Sequence, residues 1–191
     1  MRPVTFLLST CTFAVWSIVA APRSPQAPST KATPLVLEKD EGERRVWRPG
    51  EGLQGQPSLF TLKVDPHNGG SSHLVFGTED LQPGGRIEAH PHPSADEILF
   101  LQNGLASVSL GDQAKGVHGG ATVFIPAGTW ISVVNTGKEV IHLVYVFSAP
   151  GFEKFMRAES VHEGKPVVPL SKTEDAAILA KYLSTVIYRE P

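Results

Sequence analysis

The sequence predicts an all-β fold, a single barrel of short strands with a C-terminal helix. Three observations predict it. Short apolar runs alternate with Gly, Pro and Asn turns from residue 81 to Pro150. Glycine (18 residues) and proline (16 residues) are scattered through the middle of the chain, which suits many turns better than a helical bundle. After Pro150 the period changes, and apolar residues recur at helical spacing near the end.

The elements follow in order. Arg2, then an interrupted apolar run from Val4 to Ala20, then small residues Ala20 and Ala21, read as a signal peptide over residues 1–20. The run is short and weakly hydrophobic for a bilayer span, so the expectation is cleavage, a secreted or periplasmic protein and no membrane contact afterwards. Residues 21–33 are Pro- and Ser-rich and read as a linker. The barrel is expected over 34–150 with its N-terminal strands. Leu35–Leu37 is a short strand candidate, and the charged run Glu38–Arg45 reads as solvated. Phe60–Val64 is a strand, Asp65–Gly70 a turn cluster, and His73–Gly77 a second apolar run.

Beyond Pro83-Gly84-Gly85, strands are expected at Arg86–His92 and Glu97–Gln102. Asn103-Gly104 is a hairpin signal leading into Ala106–Leu110. Further strands are expected at Ala121–Ile125, Trp130–Val134 and Val140–Phe147, separated by Pro126-Ala127-Gly128 and Asn135-Thr136-Gly137. Residues 151–191 form a helical extension. Phe152, Phe155 and Met156 suggest a short helix. Ser171 with Glu174 makes a capping box ahead of Ile178, Leu179, Tyr182, Leu183 and Val186, a helix expected on the outside of the barrel.

Composition narrows the function classes. The formal charge is −2 and no basic cluster appears, so nucleic acid is not expected as a partner. Cys11 is the only cysteine and lies in the signal segment. The mature chain then has no disulfide, thiol nucleophile or Cys-ligated zinc. No phosphate-cradling loop is present either, because Gly69-Gly70, Gly84-Gly85 and Gly119-Gly120 read as turns.

One constellation carries chemistry. In a strand, residues two apart share a face, so His90 and His92 project together. Pro91 between them marks an edge or bulge. Glu97 opens the next strand and can return its carboxylate to the two imidazoles. Two His and one carboxylate suit Fe(II), Mn(II), Ni(II), Cu(II) or Zn(II). Leu99 and Leu101 share Glu97's parity; with Ile131 and Val133 they are expected to wall a largely apolar pocket for a small molecule. His142 is a further candidate in the strand Val140–Phe147, with its facing open and an edge or surface role as the plain alternative.

This stretch resembles cupin motif 1, G-x5-H-x-H-x3,4-E-x6-G, read here as Gly84, His90, His92, Glu97 and Gly104. A second run resembles cupin motif 2, G-x5-P-x-G-x2-H-x3-N, through Gly120, Pro126, Gly128 and Asn135, with Ile131 in place of the histidine. Fifteen residues separate the two, as in small single-domain cupins. The resemblance covers roughly residues 57–150. It implies a cupin, jelly-roll-like barrel and a divalent metal held by His90, His92 and Glu97. It also implies a homodimer paired through edge strands.

Two readings of the site stand. In one, a facial triad leaves three open positions beside Ile131. The protein is then a metal-dependent, dioxygenase-like enzyme on a small oxygenated molecule, with Glu97 also moving a proton. In the other, the barrel captures a metal or small molecule without turnover. Three titratable groups inside an apolar barrel without a ligand are costly, which favours metal.

Overall fold

The computed structural model describes residues 32–50 and 58–188. The signal segment and most of the linker lie outside these residues.

The strands are β1 (Glu43–Trp47), β2 (Leu59–Val64), β3 (Val75–Leu81), β4 (Arg86–His90), β5 (Glu97–Leu101), β6 (Leu105–Leu110), β7 (Gln113–His118), β8 (Thr122–Ile125), β9 (Ile131–Asn135), β10 (Ile141–Phe147) and β11 (Ser160–His162). The helices are α1 (Phe152–Ala158) and α2 (Lys172–Lys181). Among the described residues the strands form a seven-stranded sheet, β11-β1-β2-β3-β10-β5-β8, and a four-stranded sheet, β4-β9-β6-β7. The described pairs are antiparallel, apart from one isolated parallel bridge between Gly50 and Leu170. This is a jelly-roll barrel with a C-terminal helix, as the sequence predicts.

Alternation builds the core. Along β10 the odd residues Ile141, Leu143, Tyr145 and Phe147 are buried and the even ones only partly so. Their neighbours across the sheet are Leu101 for Leu143, Leu99 for Tyr145 and Glu97 for Phe147. Ile131 and Val133 of β9 close the interior from the other sheet. Gly77 of β3 lies opposite Tyr145, where the backbone of β2 and the tyrosine ring approach too closely for any side chain.

Several expectations need correction. Leu35–Leu37 forms no strand, and these residues are exposed. The charged run Glu38–Arg45 is not simply solvated. Its end enters β1, and Arg45 is 8% exposed because Ser160 Oγ, the Ser160 and Arg157 carbonyls and Glu43 satisfy its guanidinium. Asn103-Gly104 is not a hairpin, because β5 and β6 belong to different sheets. Gln102 N donates to His142 O, whereas Leu105 pairs with His118. The turn carries the chain from one sheet to the other. Gly104, at φ 82°, passes so close to Ile141 that a Cβ would stand 2.7 Å from its Cγ1. Strand β7 escapes the sequence reading because it is an almost wholly exposed edge with no apolar alternation.

The C-terminal capping box is present: Glu174 N donates to Ser171 Oγ, and Ser171 N to Glu174 Oε2. α2 has no buried residue, and its Ala176, Leu179 and Ala180, with Leu183, Val186 and Tyr188 beyond it, line one side of the cavity.

Candidate metal centre

Strand β4 ends the four-stranded sheet as an edge strand, and its register against β9 shifts between Ile87 and His90. Pro91, which has no N–H to donate, ends it. His90 is the last residue of β4, His92 sits in the loop beyond, and Glu97 is the first residue of β5. The loop is tied down by the Pro126-Ala127-Gly128 turn. Gly128 N donates to His92 O at 2.9 Å, and Ala127 N to Asp96 Oδ1 at 2.8 Å. Asp96 N in turn donates to Ser148 Oγ. The turn of the second motif thus anchors the loop of the first.

The three side chains are brought together and buried, at 4%, 2% and 5% exposure for His90, His92 and Glu97. His90 Nε2 lies 3.1 Å from His92 Nε2, and His92 Nε2 lies 3.4 Å from Glu97 Oε2. They form a row with His92 in the middle. Among the described residues, no three His, Cys, Asp or Glu side chains close into a ready-made metal cage.

The protons decide what this row can hold. His90 Nδ1 faces the Glu88 carbonyl at 2.7 Å, and His92 Nδ1 faces the Thr185 carbonyl at 3.2 Å. A carbonyl oxygen only accepts, so both rings carry hydrogen on Nδ1. Their Nε2 lone pairs therefore face each other, with a carboxylate oxygen beside one of them. In that tautomer three acceptors meet with no donor of their own, an arrangement suited to a cation, whether a proton or a metal ion. Imidazoles that donate Nδ1–H to a carbonyl and offer Nε2 are typical of metal-bound histidines. The donor set fits a divalent transition metal.

The surroundings are apolar. Phe152 stacks on His90 (5.9 Å, 13°) and meets His92 edge-on at 4.4 Å; Phe147 flanks His92 at 4.8 Å, and Tyr188 lies 5.2 Å from His90. Burial, with His92 alongside, pushes His90 down to about 3 despite the Glu88 carbonyl. His90 is thus neutral at neutral pH.

The row opens on a cavity of about 950 Å3. His90, Glu97, Leu99 and Ile131 line it; Ile131 is 1% exposed and pairs directly across from His90. Leu101 and Val133 face inward but are buried in the core beyond the cavity wall. His142 does not join the site. It lies on the outer face of β10, where its Nδ1 meets Asp80 Oδ1 at 2.6 Å. It supplies no imidazole to the row, since the even residues of β10 point away from the core.

Sequence reasoning missed Glu79. Its carboxyl lines the cavity and accepts a hydrogen bond from Trp47 Nε1 at 3.0 Å. Burial raises it to about 7, against the Trp47 bond that lowers it. A signal was present: Val75, Gly77 and Leu81 are the inward residues of β3, and Glu79 is the polar one at the same parity.

Residues 77–147 match the Cupin domain family. The barrel has the cupin fold. Among curated relatives, the uncharacterized protein YrkC of Bacillus subtilis is 29% identical over 84 residues, 41% of this chain and 45% of that protein. Protein SchB of Streptomyces halstedii is 28% identical over 82 residues, 43% of this chain and 59% of that protein. The chain thus spans about half the length of the curated relatives it matches. A solved structure from Thermotoga maritima, described as a predicted oxalate decarboxylase, superposes with a TM-score of 0.52 at 19% identity, over 61% of this chain and all of that one. At that identity the likeness speaks for the fold alone.

Proposed function

We propose that this cupin barrel binds a divalent transition metal through His90, His92 and Glu97, and acts with it on a small oxygenated organic molecule in the cavity. One observation supports the reading above the others: two imidazole Nε2 atoms lie 3.1 Å apart and a carboxylate oxygen lies 3.4 Å from one of them, while both Nδ1 atoms are committed to backbone carbonyls. When bound, such an ion polarises an oxygen of the substrate or engages O2.

The chain's own groups have assignable parts. The Glu88 and Thr185 carbonyls keep the two rings in the ligating tautomer. Leu99, Ile131, Leu143 and Phe147 exclude water from the end of the cavity at the row. Glu97 lines the cavity and its Oε2 contacts His92 at 3.4 Å, so its carboxylate is placed to take up a substrate proton. A cavity of about 950 Å3 lies at the upper end of the range for small-ligand sites and has room for a small organic molecule beside the row.

The test is metal content. The purified, untagged chain is analysed by elemental mass spectrometry beside a His90→Ala, His92→Ala variant. The expected result is near-stoichiometric metal that disappears in the variant, followed by oxygen uptake with phenolic or keto compounds. If neither protein takes up Fe(II), Mn(II), Ni(II), Cu(II) or Zn(II), the metalloenzyme reading fails and a small-molecule-binding barrel remains.

A further inference from the structure

The described chain does not end at the barrel. After α2, residues 183–188 fold back over the row of donors, and four contacts pin them there. The Thr185 carbonyl accepts from His92 Nδ1 at 3.2 Å, and the Ser184 carbonyl accepts from Ser94 Oγ, in the same loop as His92, at 3.2 Å. Val186 is 1% exposed and belongs to the core, and the Tyr188 ring lies 5.2 Å from His90. Leu183, Val186, Ile187 and Tyr188 also wall the cavity. All of this lies beyond residues 77–147, the stretch matched by the family.

His92 therefore owes its orientation to backbone outside the barrel. With the segment away, His92 Nδ1 faces water, and the ring is free to turn or to move its hydrogen to Nε2. The segment is also less firmly held than the barrel: α2, which leads into it, has no fully buried residue, and the segment's own anchor in the core is Val186.

We propose that residues 183–188 are a positioning element of the metal site, which fixes His92 through the Thr185 carbonyl so that metal binding and docking of this segment favour one another. This rests on the metal-centre reading above. Outer hydrogen-bond partners of ligating histidines are worth 10–100-fold in metal affinity, which sets the expected size. Coupling of two binding events is reciprocal, so metal must protect the docked segment by the same factor.

Zn(II) is the probe, since nitrogen and oxygen sites bind it more tightly than Mn(II) or Fe(II) whatever the native ion. Chelator competition measures its affinity for the full chain and for Val186→Asp, which places a charge in the core and releases the segment. Hydrogen exchange follows the amides of Thr185 and Val186, which donate to Tyr182 O at 2.8 and 3.1 Å, with and without Zn(II). The expected results are a 10–100-fold weaker affinity in the variant and a comparable slowing of exchange in the parent chain on adding Zn(II). If the parent binds no Zn(II), the metal centre falls and this proposal with it. If both bind equally while the variant's segment exchanges freely, the proposal alone falls. Should the variant not fold, the parent decides: unchanged exchange at Thr185 and Val186 on Zn(II) binding overturns the coupling.

Discussion

Ile131→His places an imidazole directly across from His90, at a separation of about 4.5–5.5 Å between Cβ atoms for paired residues on neighbouring strands. The size of the effect follows from what Ile131 does now. It is 1% exposed and packed in the core, so its burial is worth about 1.5–3 kcal/mol. An imidazole recovers part of that packing but brings a polar nitrogen among apolar neighbours, at a cost of about 1–3 kcal/mol if unpartnered. The metal-free variant should therefore lose about 3 kcal/mol, which lowers Tm by about 6–12 °C for a chain of this size. Metal reverses the loss, because a ligand at 100 times its Kd returns about 2.7 kcal/mol. The assay is a pair of melting curves, with chelator and with Zn(II), beside a Zn(II) competition titration. The variant should melt below the parent with chelator, approach it with Zn(II), and bind Zn(II) at least 10-fold more tightly. An unchanged Zn(II) affinity together with an unrecovered Tm would refute the placement of Ile131 beside the donor row.

Two other perturbations probe the cavity and the core. Glu79 in the folded chain keeps its proton up to about pH 7, whereas in the unfolded chain it loses it near 4.5, so its stabilising share falls as pH rises between those values and is gone above 7. That share is at most about 3 kcal/mol; chemical denaturation at pH 5 and pH 8 should show a smaller acid-to-base loss of stability in Glu79→Gln than in the parent, and equal slopes would show that the carboxyl is not held protonated. Gly77→Ala would set a Cβ 2.3 Å from both Thr61 O and Tyr145 Oη, so β2, β3 and β10 must move apart. A loss of about 3 kcal/mol is expected in a thermal melt, and a change within about 0.5 kcal/mol would mean that Tyr145 has room to swing aside.

The strands that were legible in the sequence are those whose two faces meet different solvents. β10 alternates buried and partly buried residues over its full length, and β5 does the same in exposed and buried steps. β7 meets water on nearly every side, so its residues carry no pattern to read. Asn103-Gly104 misled for a related reason. The dipeptide reports a backbone that can turn tightly, and that is what Gly104 does, but which strands flank the turn is decided by tertiary pairing. Arg45 lay in a charged run, and nothing local reveals that Ser160 and the Arg157 carbonyl wait to satisfy it more than 100 residues later.

The same divide runs through the site. His90, His92 and Glu97 come from one short stretch, so their spacing in sequence already constrains their spacing in space. Their outer partners obey no such limit. Glu88, two residues before His90, accepts through its carbonyl and would do so whatever its side chain; Thr185, 93 residues after His92, does likewise. A backbone acceptor leaves no residue signature. Yet these two carbonyls decide the tautomers, and the tautomers decide whether the row offers lone pairs or hydrogens to whatever enters. The side chain at position 131 alone therefore does not decide what the row holds. A third imidazole would add a fourth ligand, but the three acceptors present, and the carbonyls behind two of them, already suit a cation. A row with hydrogens on Nε2 would make a hydrogen-bonding pocket, with or without the fourth ligand. The row as folded, with both Nδ1 hydrogens committed elsewhere, makes a pocket for a positive charge.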